Sequence, residues 1–65
     1  MMFKVGDKVQ LDQLSNSNYF SHNIPYEIEA ILNDGINLVL KGFIGFWGAR
    51  YFVMYDKKSV GFVIE

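Results

Sequence analysis

The sequence predicts an all-β fold, a small antiparallel barrel of five or six short strands. Apolar and polar residues alternate with period two in several short runs, as expected for strands that are buried on one face. Turn-forming residues separate these runs, and no stretch shows the apolar periodicity of an amphipathic helix. The 65-residue chain is 51% hydrophobic and long enough for one domain, in which a closed barrel would leave no exposed sheet edge.

The first alternating run predicts a strand that starts close to the N-terminus. Its apolar side chains share one face, and they are Phe3, Val5, Val9 and Leu11. Gly6 and Asp7 interrupt the run, which indicates a bulge or a turn where the chain bends into the strand.

Residues 12–25 are predicted to form a long polar loop that ends at Pro25. The segment contains three Ser and three Asn, whose side chains bond nearby backbone groups and favour turns over strand ladders. Two aromatic residues, Tyr19 and Phe20, stand within it. Because loops of this length are commonly mobile or functional, we expect both rings to belong to an exposed binding surface.

A β-hairpin is predicted after this loop. In its first strand Glu27 and Glu29 alternate with apolar residues, which are Tyr26, Ile28, Ala30 and Leu32. In its second strand the alternating apolar residues are Ile36, Leu38 and Leu40. Asn33, Asp34 and Gly35 join the two strands, since an Asp-Gly step tolerates the positive φ of tight hairpin turns.

The segment 41–48 is rich in glycine and aromatic residues. Its three glycines disfavour helix and suit bends or bulges. We predict a fourth strand around residues 43–47, a single 3₁₀ turn at Ala49, Arg50 and Tyr51, and a short fifth strand at residues 52–54.

The C-terminal residues 55–65 are predicted to add an edge strand, or a strand exchanged with a second copy of the chain. After a polar turn at residues 56–59, alternate positions are again apolar, at Val60, Phe62 and Ile64. Residues 60–64 contain no polar side chain on either face, which suits a strand that pairs with a neighbouring sheet edge. We therefore expect a homodimer formed through this segment.

The opening segment, residues 3–9, reads Phe-Lys-Val-Gly-Asp-Lys-Val and resembles the first strand of small Src-homology-3-like barrels. The continuation is similar to a group of very short proteins encoded by phages and prophages. A Tyr-x-Ile strand follows a loop at residues 26–28, and a Trp precedes an Ala-Arg-Tyr-Phe step at residues 49–52. The resemblance covers residues 3–53, and the tail from Met54 onward departs from the pattern. It implies a Src-homology-3-like barrel of phage or prophage origin.

Composition excludes several kinds of site. The chain has no cysteine and a single histidine, His22, so disulfides, thiolate metal sites and histidine-rich metal sites are excluded, and no cofactor is expected. A net charge of −1 argues against a chain that coats nucleic acid electrostatically. No apolar stretch approaches the about 20 residues that cross a bilayer, and no targeting segment is visible. We expect a cytoplasmic protein without membrane contact.

Catalytic residues are not expected. His22 lies among the serines of a loop, which is a poor scaffold for a nucleophile–base pair, so the favoured interpretation is an exposed loop histidine. Glu27 and Glu29 share a predicted strand face about 7 Å apart. A solvated outer face explains these two carboxylates better than acid–base catalysis does. The glycines of residues 41–48 lack the Lys-Ser/Thr step of a phosphate-binding loop. The chain is therefore predicted not to be an enzyme.

The aromatic residues carry the strongest functional signal. Adjacent strand residues face opposite sides, so Phe46 and Trp47 cannot both enter one small core, and one of them is expected at the surface. The structural alternative is that Trp47 closes the open end of the barrel. Because Trp, Tyr and Arg dominate the energetics of protein interfaces, we expect a module that binds or inhibits a host protein. Its predicted binding residues are Tyr19, Phe20, Phe46, Trp47, Arg50 and Tyr51.

Two other functions remain open from the sequence. A barrel that binds nucleic acid would combine stacking on aromatic rings with its cations, for which the candidates are Lys41, Arg50, Lys57 and Lys58. A self-assembling structural protein would have its oligomer as its function. The salt dependence of binding distinguishes the first alternative, and the size of the particle in solution distinguishes the second.

Overall fold

A computed structural model of the protein describes residues 3–56, which form one five-stranded antiparallel sheet. The strand order across the sheet is β4-β3-β2-β1-β5, and residues 3–56 contain no α-helix. The strands are β1 Lys8–Leu11, β2 Tyr26–Leu32, β3 Asn37–Leu40, β4 Trp47–Gly48 and β5 Phe52–Met54. The prediction of an all-β antiparallel fold is confirmed, but these five strands do not close into a barrel.

The N-terminal residues form a turn rather than the start of the first strand. Lys4 and Asp7 close this turn, because the Asp7 amide donates to the Lys4 carbonyl (3.0 Å) and the Lys4 amide donates to the Asp7 carboxylate (2.9 Å). Gly6 adopts a φ of 95°, which favours glycine. The prediction that Val5 faces the core is wrong, since the turn leaves this side chain exposed.

The β2–β3 hairpin is confirmed. Asn33, Asp34 and Gly35 all have positive φ, at 53°, 56° and 95°, and Leu32 pairs with Asn37. The register shifts between Ile28 and Ala30, so the inward face of β2 changes at this bulge. As a result Ile31, and not the predicted Leu32, packs against the core.

The predicted strand over residues 43–47 is wrong. Gly42 and Gly45 have φ values of 90° and 108°, which break an extended ladder, and Ile44 between them is 98% exposed. Only Trp47 of this range belongs to β4, where it pairs with Leu38. The 3₁₀ turn Ala49–Tyr51 and strand β5 lie where the sequence predicts them.

The core lies between the sheet and the long loop that joins β1 to β2. Its central feature is Phe20, a loop residue that is 7% exposed. The other fully buried apolar side chains come from four strands, and they are Val9, Leu11, Ile28, Leu38, Leu40 and Phe52. The loop is therefore part of the packed domain.

Strand β5 is the last strand of the described residues, and it pairs with β1 in the register Val9↔Met54. The Tyr55 amide extends this ladder by donating to the Lys8 carbonyl at 3.0 Å. The predicted strand at residues 60–64 lies outside the described residues, as do Lys57 and Lys58. The homodimer expected through residues 60–64 stays a prediction.

Candidate functional site

The loop over residues 12–25 is organised by its own polar side chains. The Ser17 hydroxyl oxygen accepts hydrogen bonds from the backbone amides of Tyr19 (2.9 Å) and Phe20 (3.2 Å). The His22 ring donates from Nε2 to the Ser15 carbonyl at 2.7 Å and is half-buried, so the expectation of an exposed loop histidine is wrong. These local hydrogen bonds fix the direction in which each aromatic side chain of the loop leaves the backbone.

Phe20 and Tyr19 take opposite positions. Tyr19 is 67% exposed, whereas Phe20 enters the core, so the expectation that Phe20 is exposed on the binding surface is wrong. The Phe20 ring centroid lies 4.8 to 5.3 Å from the centroids of four other rings, those of Phe43, Trp47, Tyr26 and Phe52. The two neighbours differ because the turn at Ser17 directs the Tyr19 ring outward and the Phe20 ring inward. Phe20 therefore packs beneath the exposed aromatic residues, in contact with Trp47.

Phe46 and Trp47 also separate, as the sequence predicts for adjacent residues. Phe46 is 59% exposed, and Trp47 is half-buried against the core. The Tyr19 ring covers Trp47 at a centroid distance of 5.2 Å. The indole Nε1 is buried and has no hydrogen-bond partner among residues 3–56. A buried donor without an acceptor is unfavourable by about 1–3 kcal/mol.

The 3₁₀ turn Ala49–Tyr51 presents the remaining predicted residues. Arg50 donates from Nη2 to the Tyr51 hydroxyl at 2.7 Å, and its guanidinium carbon lies 4.9 Å from the centre of the Tyr51 ring. The Tyr51 ring in turn rests against Gly48, where a Cβ atom would lie only 3.0 Å from the ring carbon Cε2. Gly48 therefore permits the observed position of Tyr51.

These side chains surround a cleft of about 460 Å³ between the long loop and β4. We call it the aromatic cleft, and it is lined by residues 16–20 and 46–48 together with Leu11, Tyr51 and Phe52. Five of the six predicted protein-binding residues line it, and Arg50 lies just outside. No Asp, Glu, Lys, Arg or His is among the lining residues, so the cleft presents rings, amides and hydroxyls and has no acid–base pair.

A second groove, of about 630 Å³, lies on the other side of Tyr51. It is lined by Phe3 and by residues 35–37 and 48–53. Arg50 lines this groove, while Gly48, Tyr51 and Phe52 line both depressions. Sequence reasoning missed the second groove, because it joins three segments that are distant in the chain. The local sequence feature that belongs to this groove is the Gly-x-x-Tyr spacing, which lets the Tyr51 ring lie against Gly48.

Of the four candidate cations for nucleic acid, Lys57 and Lys58 lie outside the described residues, and the other two, Lys41 and Arg50, are not neighbours. Arg50 follows β4, whose Gly48 pairs with Asn37 at the start of β3, and Lys41 follows the end of β3. Asn37 and Lys41 are four residues apart along the strand direction, which corresponds to roughly 13 Å between the two ends of β3. Within residues 3–56 there is also no cluster of three His, Cys, Asp or Glu side chains that could hold a metal ion.

Comparisons of the chain with protein-family models, with curated proteins and with solved structures find no match in any of the three. Among residues 3–56, no helix has the length and apolar character needed to cross a membrane.

Proposed function

We propose that the protein is a non-enzymatic interaction module that binds an extended segment of another protein in the aromatic cleft. One observation carries this proposal: Tyr19, Phe46 and Tyr51 are exposed around a concave surface whose floor includes Trp47. Exposed aromatic residues around a cleft are the usual anchors of protein recognition. The resemblance of residues 3–53 to phage and prophage proteins supports a partner in a host cell, which the protein binds or inhibits.

The cleft is well suited to binding because its walls are held before a partner arrives. Phe20 fixes one end of the long loop in the core, and Ser17 fixes the backbone around Tyr19. Gly48 and Phe52 fix the turn that carries Tyr51 on the opposite wall. A preorganised surface loses less conformational entropy on binding, so more of its contact energy appears as affinity.

A Src-homology-3-like arrangement of the sheet is part of the same proposal. Strand β2 pairs with β1 through Tyr26 and Glu27, and with β3 from Ile28 onward. The bulge between Ile28 and Ala30 lies where the two ladders meet, and bulges bend a sheet in the way that a barrel requires. This bend and the resemblance of residues 3–53 support a partly open barrel.

The test begins with the full chain as bait in a bacterial lysate and with identification of the captured protein by mass spectrometry. The purified partner is then titrated against wild type, Phe46→Ala and Tyr51→Ala. Loss of an interface anchor is expected to weaken binding by about tenfold or more, with unfolding free energies that change by less than about 1 kcal/mol.

Ile44→Ala is the matched control, because Ile44 is 98% exposed and does not line the cleft. It is expected to bind like wild type. Unchanged binding by both folded aromatic variants would contradict the proposal and would move the binding surface elsewhere.

A further inference from the structure

We propose that the bound segment carries a carboxylate next to an aromatic or aliphatic anchor, and that Arg50 binds this carboxylate while the anchor fills the aromatic cleft. This inference rests on the proposed function and names the chemistry of the partner. The partner is thus a peptide segment that combines an apolar anchor residue with an acidic residue.

The charge around the cleft supports this assignment. The lining of the aromatic cleft contains no ionised side chain, and Arg50 is a cation that adjoins it through Tyr51, while Asp12 meets Tyr51 through its backbone amide. Within residues 3–56, Arg50 forms no ion pair with a carboxylate, and its one side-chain hydrogen bond goes to the Tyr51 hydroxyl. A guanidinium has five N–H donors in a planar fork that fits a carboxylate with two parallel bonds. Most of these donors are free for a partner.

The position of Tyr51 places the anchor and the carboxylate on the two sides of one ring. Tyr51 lines both the aromatic cleft and the second groove, and Arg50 lines the second groove. A segment that crosses Tyr51 in an extended conformation has residues two positions apart separated by roughly 7 Å. An anchor in the cleft and an acidic residue at Arg50 are thus close to each other in the sequence of the segment.

The same features disfavour nucleic acid as the ligand. Binding to phosphates gains affinity from several cations that act together, and the two candidate cations among residues 3–56, Lys41 and Arg50, follow opposite ends of the β3–β4 ladder. One arginine at the edge of a cleft whose lining is uncharged matches one carboxylate better than a polyanion. Repulsion by Arg50 also disfavours basic peptides.

The test selects random short peptides without tryptophan on the immobilised full chain. The best binders are synthesised as acids and with each Asp or Glu replaced by its amide. Binding is followed by the fluorescence of Trp47, the only tryptophan of the chain, which lies in the cleft. The expected pool is enriched in Asp or Glu near an apolar anchor. The amide peptide is expected to bind wild type about tenfold more weakly, as for loss of one charge-assisted pair.

Arg50→Gln provides the second arm of a double-mutant cycle. The acid and amide peptides are expected to bind this variant equally, because the partner of the carboxylate has been removed. If acid and amide peptides bind wild type equally, the carboxylate inference is overturned while peptide binding in the cleft stands. If no peptide is selected, or if Phe46→Ala and Tyr51→Ala bind the peptides like wild type, the proposed function fails together with the inference. Competition by an oligothymidine with steep salt dependence would overturn the inference in favour of phosphate.

Discussion

Replacing Phe20 by alanine is expected to remove much of the stability of the domain, although the residue lies in a loop. The Phe20 ring is buried, and four ring centroids lie within 5.3 Å of its own. The amide of the preceding residue, Tyr19, also donates to the Ser17 hydroxyl, but this side chain is 67% exposed. The two neighbours form a matched pair that separates a core role from a surface role.

The expected magnitudes follow from these contacts. Truncating a buried phenylalanine to alanine destabilises by about 3–5 kcal/mol, and the loss of several ring pairs favours the upper part of that range. A domain of this length has an unfolding free energy of roughly 3–10 kcal/mol. Phe20→Ala is therefore expected to be largely unfolded or close to it. Tyr19→Ala loses mainly the contact with Trp47 and is expected to be destabilised by about 0.5–1.5 kcal/mol.

The assay is urea unfolding followed both by far-UV circular dichroism and by Trp47 fluorescence. Phe20→Leu is included because it keeps an apolar side chain and is expected to remain folded with a smaller loss of stability. Trp47 contacts Phe20 at a centroid distance of 5.0 Å, so its fluorescence reports directly on this part of the core. If Phe20→Ala and Tyr19→Ala are equally stable, the burial of Phe20 does not hold the loop to the domain, and the reasoning is refuted.

Three further predictions concern backbone and assembly. Gly48 has a backbone conformation that alanine also adopts (φ −63°, ψ 126°), but the added Cβ of Gly48→Ala displaces the Tyr51 ring. Peptide affinity is therefore expected to fall, while the free energy of unfolding changes by less than about 1 kcal/mol. Unchanged affinity in a titration contradicts this prediction. Gly45 has a φ of 108° and no atom near the position of an added Cβ, so Gly45→Ala introduces backbone strain without a clash. Its free energy of unfolding in urea is expected to be about 1–3 kcal/mol lower than that of wild type. A variant as stable as wild type would exclude such strain. Deleting residues 59–65 is expected to convert a dimer into a monomer in sedimentation; a monomeric full-length chain argues against exchange through this segment.

The elements that the sequence predicts well are those defined by local chemistry. The hairpin at Asn33, Asp34 and Gly35 depends on residues that tolerate positive φ, and the structure has positive φ at all three. The 3₁₀ turn Ala49–Tyr51 follows directly after Gly48 and is likewise local, while β5 lies at the predicted residues although its ladder forms with the distant β1. Phe46 and Trp47 differ in exposure as expected, although Phe46 lies outside β4 and strand alternation is not the cause.

The errors arise where contacts between distant segments, or glycine backbone conformations, decide the outcome. Phe20 stands in a polar stretch, and only the space between Trp47, Phe43 and Phe52 explains its burial. The run at residues 43–47 has the aromatic content of a strand, but two glycines with positive φ turn it into bends. The alternation of apolar and polar residues does not predict these φ values. The aromatic cleft was therefore predictable in its composition and unpredictable in its shape.

The pairing of β1 with β5 has a consequence for folding during synthesis. Val9 pairs with Met54, so β1 waits for a partner that is synthesised about 45 residues later, whereas β2 and β3 pair across a short turn. The hairpin is expected to form early, and the nascent chain keeps one side of β1 open until β5 emerges. During that interval Val9 and Leu11 lack Phe52, and the unpaired side of β1 is a site where a chaperone or another nascent chain can attach.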